Sequence, residues 1–458
     1  VTREGQEPGG KKFRGEMVML KRSLSVLVLT LIAVFALDAS AATVRLCRHS
    51  TGAYEYADNA NGAPASEQFQ RCIDDTTVTG LNLEPGTYQV DAPIVVWRKF
   101  SIGTAGLAGD TRGCQQLPGS WCARLLASDS KTACINDSTK CMAGRVSSGG
   151  LLQALGAPNV VFDHLIIDGN RAARYGTQSW ANCAIHIPTF EGNVYGFNAK
   201  VDNCGGTPAT RCEFTYNLTQ NALCGTGLQW RGDYGRVQGN AAYNNGISDP
   251  NQKRWSDGLT ILRNNGGIIS DNHIVNSTDV GLILGAANGA YIQSNWIEQP
   301  NPSFFAFAAM MLGNFKEGGG AGQTGDYRNA MVRYNTINCY GLNCGIGLNL
   351  GPDPWSPPGV DYENIYGGMI TQNSINGARM DVNFGGAGKY GIPVTVTNNT
   401  LTGASSGPID LYPGISRCVN PGGFVQNLPN NNREGECGNY GIVDPVPTSA
   451  ICFKQCWP

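Results

Sequence analysis

The sequence predicts an all-β protein: a single right-handed parallel β-helix with a helical cap at its N-terminus and a disulfide-rich tail at its C-terminus. Three observations carry that expectation. An element of the form aliphatic-x-x-Asn-x-aliphatic recurs through the middle of the chain, a second aliphatic element keeps step with it, and no amphipathic stretch of helical length separates the copies.

At the start of the chain, Met19-Leu20-Lys21-Arg22 is basic, Leu24 to Leu37 is an apolar run of about fourteen residues, and Ala39-Ser40-Ala41 offers a small-residue cleavage site. That order is the pattern of a secretory signal peptide, and the run is short for a bilayer span. Residues 1–16 precede Met17 and Met19, either of which can initiate. Residues 1–41 are therefore set apart from the fold, and the protein is expected to be exported, either to a periplasm or to the exterior.

Residues 42–150 read as an N-terminal cap and the first coils. Ser66 to Asp75 has the pattern of a short helix that plugs the open end of a core. Leu81 to Val90, Pro93 to Val96 and Phe100 to Ile102 follow as the first strands. The segment Asn159 to Asn170 reads as a further coil, with Asp163 in the slot that Asn fills elsewhere.

Residues 151–415 hold the repeat. The first element runs from Ile269 to Ile274 around Asn272, Ile292 to Ile297 around Asn295, Val332 to Ile337 around Asn335, Ile370 to Ile375 around Asn373, and Val396 to Leu401 around Asn399. A weaker copy begins at Val237 with Asn240. The second element is Gly227 to Trp230, Gly258 to Ile261, Gly281 to Leu284, Gly347 to Leu350, Asp381 to Phe384 and Ile409 to Tyr412. Two-residue alternation marks short strands with one face inside. A spacing of 22 to 40 residues is one turn of a coil, longer where a loop is inserted. The repeated Asn should stack from coil to coil and satisfy polar groups at a buried bend. A core that grows along one axis also explains how so long a chain forms one domain.

Residues 416–458 lose the period and become rich in Gly, Pro and Asn, with four cysteines. That tail is expected to cover the last coil and its strand edges. All 16 cysteines lie beyond the proposed cleavage site, an even number that favours disulfides in an oxidising compartment. Short spacings point to pairs between Cys134 and Cys141, Cys204 and Cys212, Cys339 and Cys344, and Cys452 and Cys456. No Cys-x-x-Cys occurs and there are four histidines, so no metal site is expected.

Without its leader the chain carries 27 basic and 31 acidic side chains, a net charge of −4. No basic stripe remains, which argues against nucleic acid or an anionic membrane as partner. Oligomeric state is not legible.

The run Leu83-Glu84-Pro85-Gly86-Thr87-Tyr88, the segment Ile167-Asp168-Gly169-Asn170 and the Asn-x-Ile coils resemble the pectate-lyase-like superfamily of right-handed parallel β-helix proteins. The resemblance covers most of the chain beyond the leader and implies the fold. That superfamily holds lyases, hydrolases, epimerases, esterases and phage tailspikes, so activity has to be argued from a site.

Outward side chains of one sheet in such a solenoid make a floor, and corner loops make walls. The second element gives a floor line of His186, Gln229, Thr260, Ile283, Met311, Asn349, Asn383 and Asp410. Insertions at 171–183, 202–226 and 248–256 on one side, and at 313–328 and 351–363 on the other, would frame an open groove for an extended polymer. Asp257 and Asp279 are 22 residues apart, so they are expected as vertical neighbours roughly 5 Å apart. Carboxylates that close either share a proton or hold a cation. His186, Gln229, Trp255, Asn349, Trp355, Arg379 and Asp381 are expected to line the groove and bind substrate, the tryptophans by stacking on sugar rings. His164 and His273 are expected in one equivalent, solvated slot of the Asn element.

The pair Ser256-Asp257-Gly258-Leu259 and Thr278-Asp279-Val280-Gly281 also resembles the acidic motifs of polygalacturonase-type glycoside hydrolases, which invert using clustered aspartates. That resemblance implies that Asp257 and Asp279 activate water, and it sets Thr278 where the family has its acid. The family's Gly-His-Gly and Arg-Ile-Lys are absent here. The expected function is cleavage of a polysaccharide, by hydrolysis and without a cofactor. A lyase would need a cation, Ca2+ or a side chain, to acidify the proton beside a uronate. No Arg or Lys stands in register beside the two aspartates. A non-catalytic polysaccharide-binding β-helix is the reading from another class.

Overall fold

The computed structural model describes residues 45–49, 54–56, 65–137, 140–141, 149–175, 195–246, 256–313, 325–341, 343–351, 365–378, 380–384, 392, 394–402 and 425–426. All of them belong to one compact unit, Val44–Pro458. The chain winds as a right-handed parallel β-helix. Each coil lays one strand into each of three sheets, which hold thirteen, ten and nine strands among the described residues. One coil shows the order: Ile268–Ser270 in the first sheet, His273–Val275 in the second, Val280–Leu284 in the third.

Strand pairing is parallel throughout the coils, and equivalent aliphatics stack. Val237, Ile269, Ile292, Val332, Ile370 and Val396 form one buried column. Leu228, Leu259, Leu282, Met310, Leu348 and Val382 form another. Columns of this kind fill a narrow, continuous core whose stability grows with each added coil.

The Asn ladder forms as expected. Asn240 accepts at Oδ1 from the backbone N–H of Asn217 (2.9 Å), Asn272 from Asn240 (3.1 Å), Asn295 from Asn272 (3.2 Å), Asn335 from Asn295, Asn373 from Asn335 (3.0 Å each), and Asn399 from Asn373 (2.9 Å). Each amide also donates to a carbonyl of the preceding coil, as Asn272 does to Val237 (3.0 Å). The ladder exists because the residue before each Asn takes a left-handed turn: Asp271 and Ser294 both have φ of 57°, and Gln372 has 56°. That turn frees backbone groups at a buried bend, and the side-chain amide satisfies them.

Two expectations about this element are corrected. Strand pairing sets Asp163 opposite Thr215, so Leu165, and not Asp163, occupies the Asn slot and ends the ladder. His164 takes the left-handed position (φ 51°) and is fully buried, with its ring nitrogens bonded to Asp163 Oδ2 (2.8 Å) and the Arg112 carbonyl (3.1 Å). It therefore shares no slot with His273, which follows Asn272.

The N-terminal helix spans Ala65–Asp74 and buries Phe69, Cys72 and Ile73 over the first coil. Outside it, Arg45–His49 pairs antiparallel with Val78–Leu83, and Cys47–Cys72 ties that strand to the helix. The expected pairs Cys134–Cys141, Cys204–Cys212 and Cys339–Cys344 are present, and Cys114–Cys122 is a further one. Such a set fits an oxidising compartment. Among the described residues no helix is long and apolar enough to cross a membrane. The leader, most of the C-terminal tail and the Cys452–Cys456 pair lie outside the described residues.

Candidate active site

The floor line belongs to the third sheet, and its register is as expected from Gln229 onward: Gln229, Thr260, Ile283, Met311, Asn349 and Asn383 are successive partners. Its first members differ. The strand below Gln229 is Phe197–Asp202, which sets Lys200 under Gln229 and Gln153 under Lys200. His186 is displaced from that position and lies outside the described residues, as do Trp255, Trp355, Arg379 and Asp410. The reason is that residues 202–226 are no insertion. They include Glu213–Thr215 and Leu218–Gln220, the strands of the first and second sheets in an ordinary coil. Phe197-Asn198-Ala199-Lys200-Val201 carries the alternation that could have revealed Lys200.

The floor column is also covered. Gln229 is 4 % exposed, Ile283 3 %, and Met311 and Asn349 are fully buried. Their positions match the expected line, but none is bare surface in the way an open groove requires. Asp257, near the start of Ser256–Arg263, is a partly exposed polar side chain of this region.

Asp257 is held at both carboxyl oxygens. Its Oδ2 accepts from the Thr260 hydroxyl on its own strand (2.7 Å), and Thr260 Oγ1 in turn lies 3.0 Å from Thr226 Oγ1 on the preceding coil. Its Oδ1 accepts the backbone N–H of Val280 on the following coil (3.2 Å). Removal from water outweighs these two hydrogen bonds and pushes the carboxyl up to about 7 from an ordinary value of 3.8. The group is thus divided between acid and base near neutrality.

Gly258, the next residue, packs closely against the following coil. A Cβ on it would stand 2.5 Å from the Gly281 carbonyl oxygen and from Ile274 Cγ2. Gly227, Gly258, Gly281, Ala309, Gly347 and Asp381 share this column by register, small residues except for the last. Asp381 is buried, and desolvation raises its carboxyl to about 7. It lies four coils from Asp257, roughly 19 Å along the stack, and so contributes nothing to the same reacting centre.

Asp279 is corrected in register. The coil between these strands is 23 residues long, as the pairing of Leu259 with Leu282 shows, so Asp257 stands beside Val280 and Ser256 beside Asp279. The aspartates are on adjacent coils but one step out of column. Successive strand residues face opposite ways, and accordingly Asp279 is buried while Asp257 is partly exposed. Thr278 is buried as well, and its Oγ1 accepts the Ser256 N–H (3.1 Å), a structural role at the corner. Among the described residues no three His, Cys, Asp or Glu side chains are grouped to hold a metal ion.

Beside the floor line are three ion pairs: Lys200 Nζ to Asp202 (3.9 Å), Arg231 to Asp202 (3.6 Å) and Arg263 to Asp233 (3.2 Å). Lys200 and Arg231 share Asp202, and Arg263 pairs with Asp233.

No protein-family model matches the sequence, and no curated protein is significantly similar to it. Solved structures are similar in fold. An exopolygalacturonase from Thermotoga maritima is 11 % identical, with 74 % of this chain and 77 % of that one covered and a TM-score of 0.44. A family 28 exopolygalacturonase from Yersinia enterocolitica is 9 % identical over 82 % and 87 %, also at 0.44. A pectate lyase is 12 % identical over 81 % and 75 %, at 0.42. At these identities the likeness concerns the β-helix alone, not what this chain acts on.

Proposed function

We propose that the protein is an exported glycoside hydrolase that cleaves a polysaccharide at the partly exposed edge of the third sheet around Asp257, which moves the proton. The observation that carries this reading is the Asp257 carboxyl. It is partly exposed, anchored by Thr260 and Val280, and displaced to about 7 by burial. A carboxylic acid still half-protonated at neutral pH can protonate a leaving glycosidic oxygen. Hydrolysis of this kind uses a second carboxyl group, and Asp279, buried and turned inward on the next coil, does not face the same side as Asp257. The mildly acidic chain favours a substrate that is not densely anionic, and the absence of an unpaired cation beside Asp257 among the described residues favours hydrolysis over β-elimination.

The test is a panel of neutral and acidic polysaccharides scored for new reducing ends and for absorbance near 235 nm. Reducing ends without absorbance, lost in Asp257→Asn, are expected. Absorbance at that wavelength would make the enzyme a lyase, and full activity in Asp257→Asn would remove the site.

A further inference from the structure

The second sheet carries a group of side chains that the proposed reaction does not use. His273 and Trp296 are successive partners on its outer face, and their rings stack at 4.6 Å with 13° between planes. His273 is gripped at both nitrogens, by the Tyr243 hydroxyl at Nδ1 (2.8 Å) and by Glu298 Oε1 at Nε2 (2.7 Å). The other oxygen of Glu298 accepts from the Tyr340 hydroxyl (3.0 Å). One face of the Trp296 indole is thus occupied by a ring that cannot swing away.

Its other face looks along the coil axis toward side chains that are all short. The column continues from Trp296 to Thr336, Ser374 and Thr400, and the neighbouring one from Glu298 to Asn338, Asn376 and Thr402. The surface therefore drops by a step at Trp296. The riser is an indole face, the lower level is a lattice of hydroxyls and amides repeating at the coil spacing, and Tyr340 stands at the side. Trp296 and Tyr340 are each 47 % exposed, among the largest exposures of any aromatic side chain described.

We infer that this step is a glycan-binding site, separate from the floor of the third sheet, that takes a neutral polysaccharide chain lying along the coils. The C–H face of a pyranose ring packs on the free indole face, where burial of apolar surface is favourable and the π-cloud meets polarised C–H groups. Ring hydroxyls meet Glu298, which accepts, and Asn338, Thr336 and the side chains beyond, which both donate and accept. Neutrality follows from the charges: the carboxylate at the step is Glu298, and the described side chains after it in these two columns carry no charge, so a uronate would meet repulsion and, among the described residues of the step, no cation. Binding here holds the protein to a polymer whether or not the third sheet cleaves it, and does not rest on the role of Asp257.

Affinity electrophoresis tests this in gels containing xyloglucan, galactomannan, dextran or polygalacturonate, with wild type, Trp296→Ala, Trp296→Tyr, Ser374→Lys and Asp257→Asn. The expected result is retardation by at least one neutral glycan, weakened about tenfold in Trp296→Ala, largely kept in Trp296→Tyr and unchanged in Asp257→Asn. Ser374→Lys should weaken it too, by filling the lower level. Retardation by polygalacturonate alone, by no polymer, or equally in wild type and Trp296→Ala overturns the site. Unchanged circular dichroism of each variant guards against loss of fold.

Discussion

Val280 donates its backbone N–H to Asp257 Oδ1 across the gap between two coils, at 3.2 Å. The bond ties a titrating carboxyl to the rigid part of the solenoid, so its protonation should be read both in rate and in stability.

In rate, the neutral form of Asp257 is the proton donor. Its carboxyl titrates at about 7, so kcat/KM should fall about tenfold per pH unit above that value. Asp257→Asn should lower kcat by about 100- to 10,000-fold with the circular dichroism unchanged. A profile flat across neutrality, on any substrate the enzyme turns over, would remove Asp257 from the proton-transfer step.

Stability should depend on Asp381 in the same pH range. Its folded value, about 7, lies above the ordinary 3.8, so the folded chain binds the extra proton in between. The contribution of the neutral side chain is full below the unfolded value and is lost as pH rises through the folded one. Thermal midpoints of wild type should therefore fall from about pH 4 to about pH 8, and Asp381→Asn should flatten part of that decline. Identical slopes would mean that this carboxyl is hydrated in solution.

The Asn ladder offers a cleaner measure of the fold. Asn295 Oδ1 accepts from Asn272 N (3.2 Å) and Nδ2 (2.8 Å), and its own Nδ2 donates to Asn335 Oδ1 (2.9 Å) and Ile269 O (3.0 Å). Asn295→Ala strands these buried partners and should cost about 2–4 kcal/mol in chemical unfolding. Ser294→Gly, at the exposed left-handed position beside it, should instead stabilise by about 0.5–1 kcal/mol, because removing the Cβ relieves the strained backbone.

A methyl group tests the close approach under Asp257. Gly258→Ala would drive its Cβ against the Gly281 carbonyl and Ile274, both at 2.5 Å, and should lower stability by about 1–3 kcal/mol. Ala309→Gly, in the same column where the chain already accommodates a methyl, should cost less, about 0.5–1 kcal/mol. Activity should fall in Gly258→Ala beyond the loss in folded protein, because Asp257 directly precedes the residue that moves.

Much of this architecture was legible before any coordinates. The Asn and aliphatic repeats are rigid because each copy has to stack on the last, so their period is written directly into the chain. Three disulfides were legible for a similar reason, since cysteines five to eight residues apart close short loops whatever the loop does elsewhere. The Asp257–Asp279 relationship was not. A spacing of 22 suggested one column, whereas the coil is 23 residues long between the paired strands, and that one residue turns Asp279 inward. Lys200 was missed because an ordinary coil was mistaken for an insertion. The Trp296–His273 stack has a plain sequence signal, two ring-bearing residues one coil apart.

The period, the inward aliphatics and the polar ladder at the bend can be read from the chain alone, because those features depend on residues interacting with their own repeats. Which outward side chains meet follows only from the folded coil. Loops of different length enter between coils, and register across a pair of strands depends on where each extra residue is absorbed. A shift of one position moves a side chain from solvent to interior, which spacing along the chain cannot reveal.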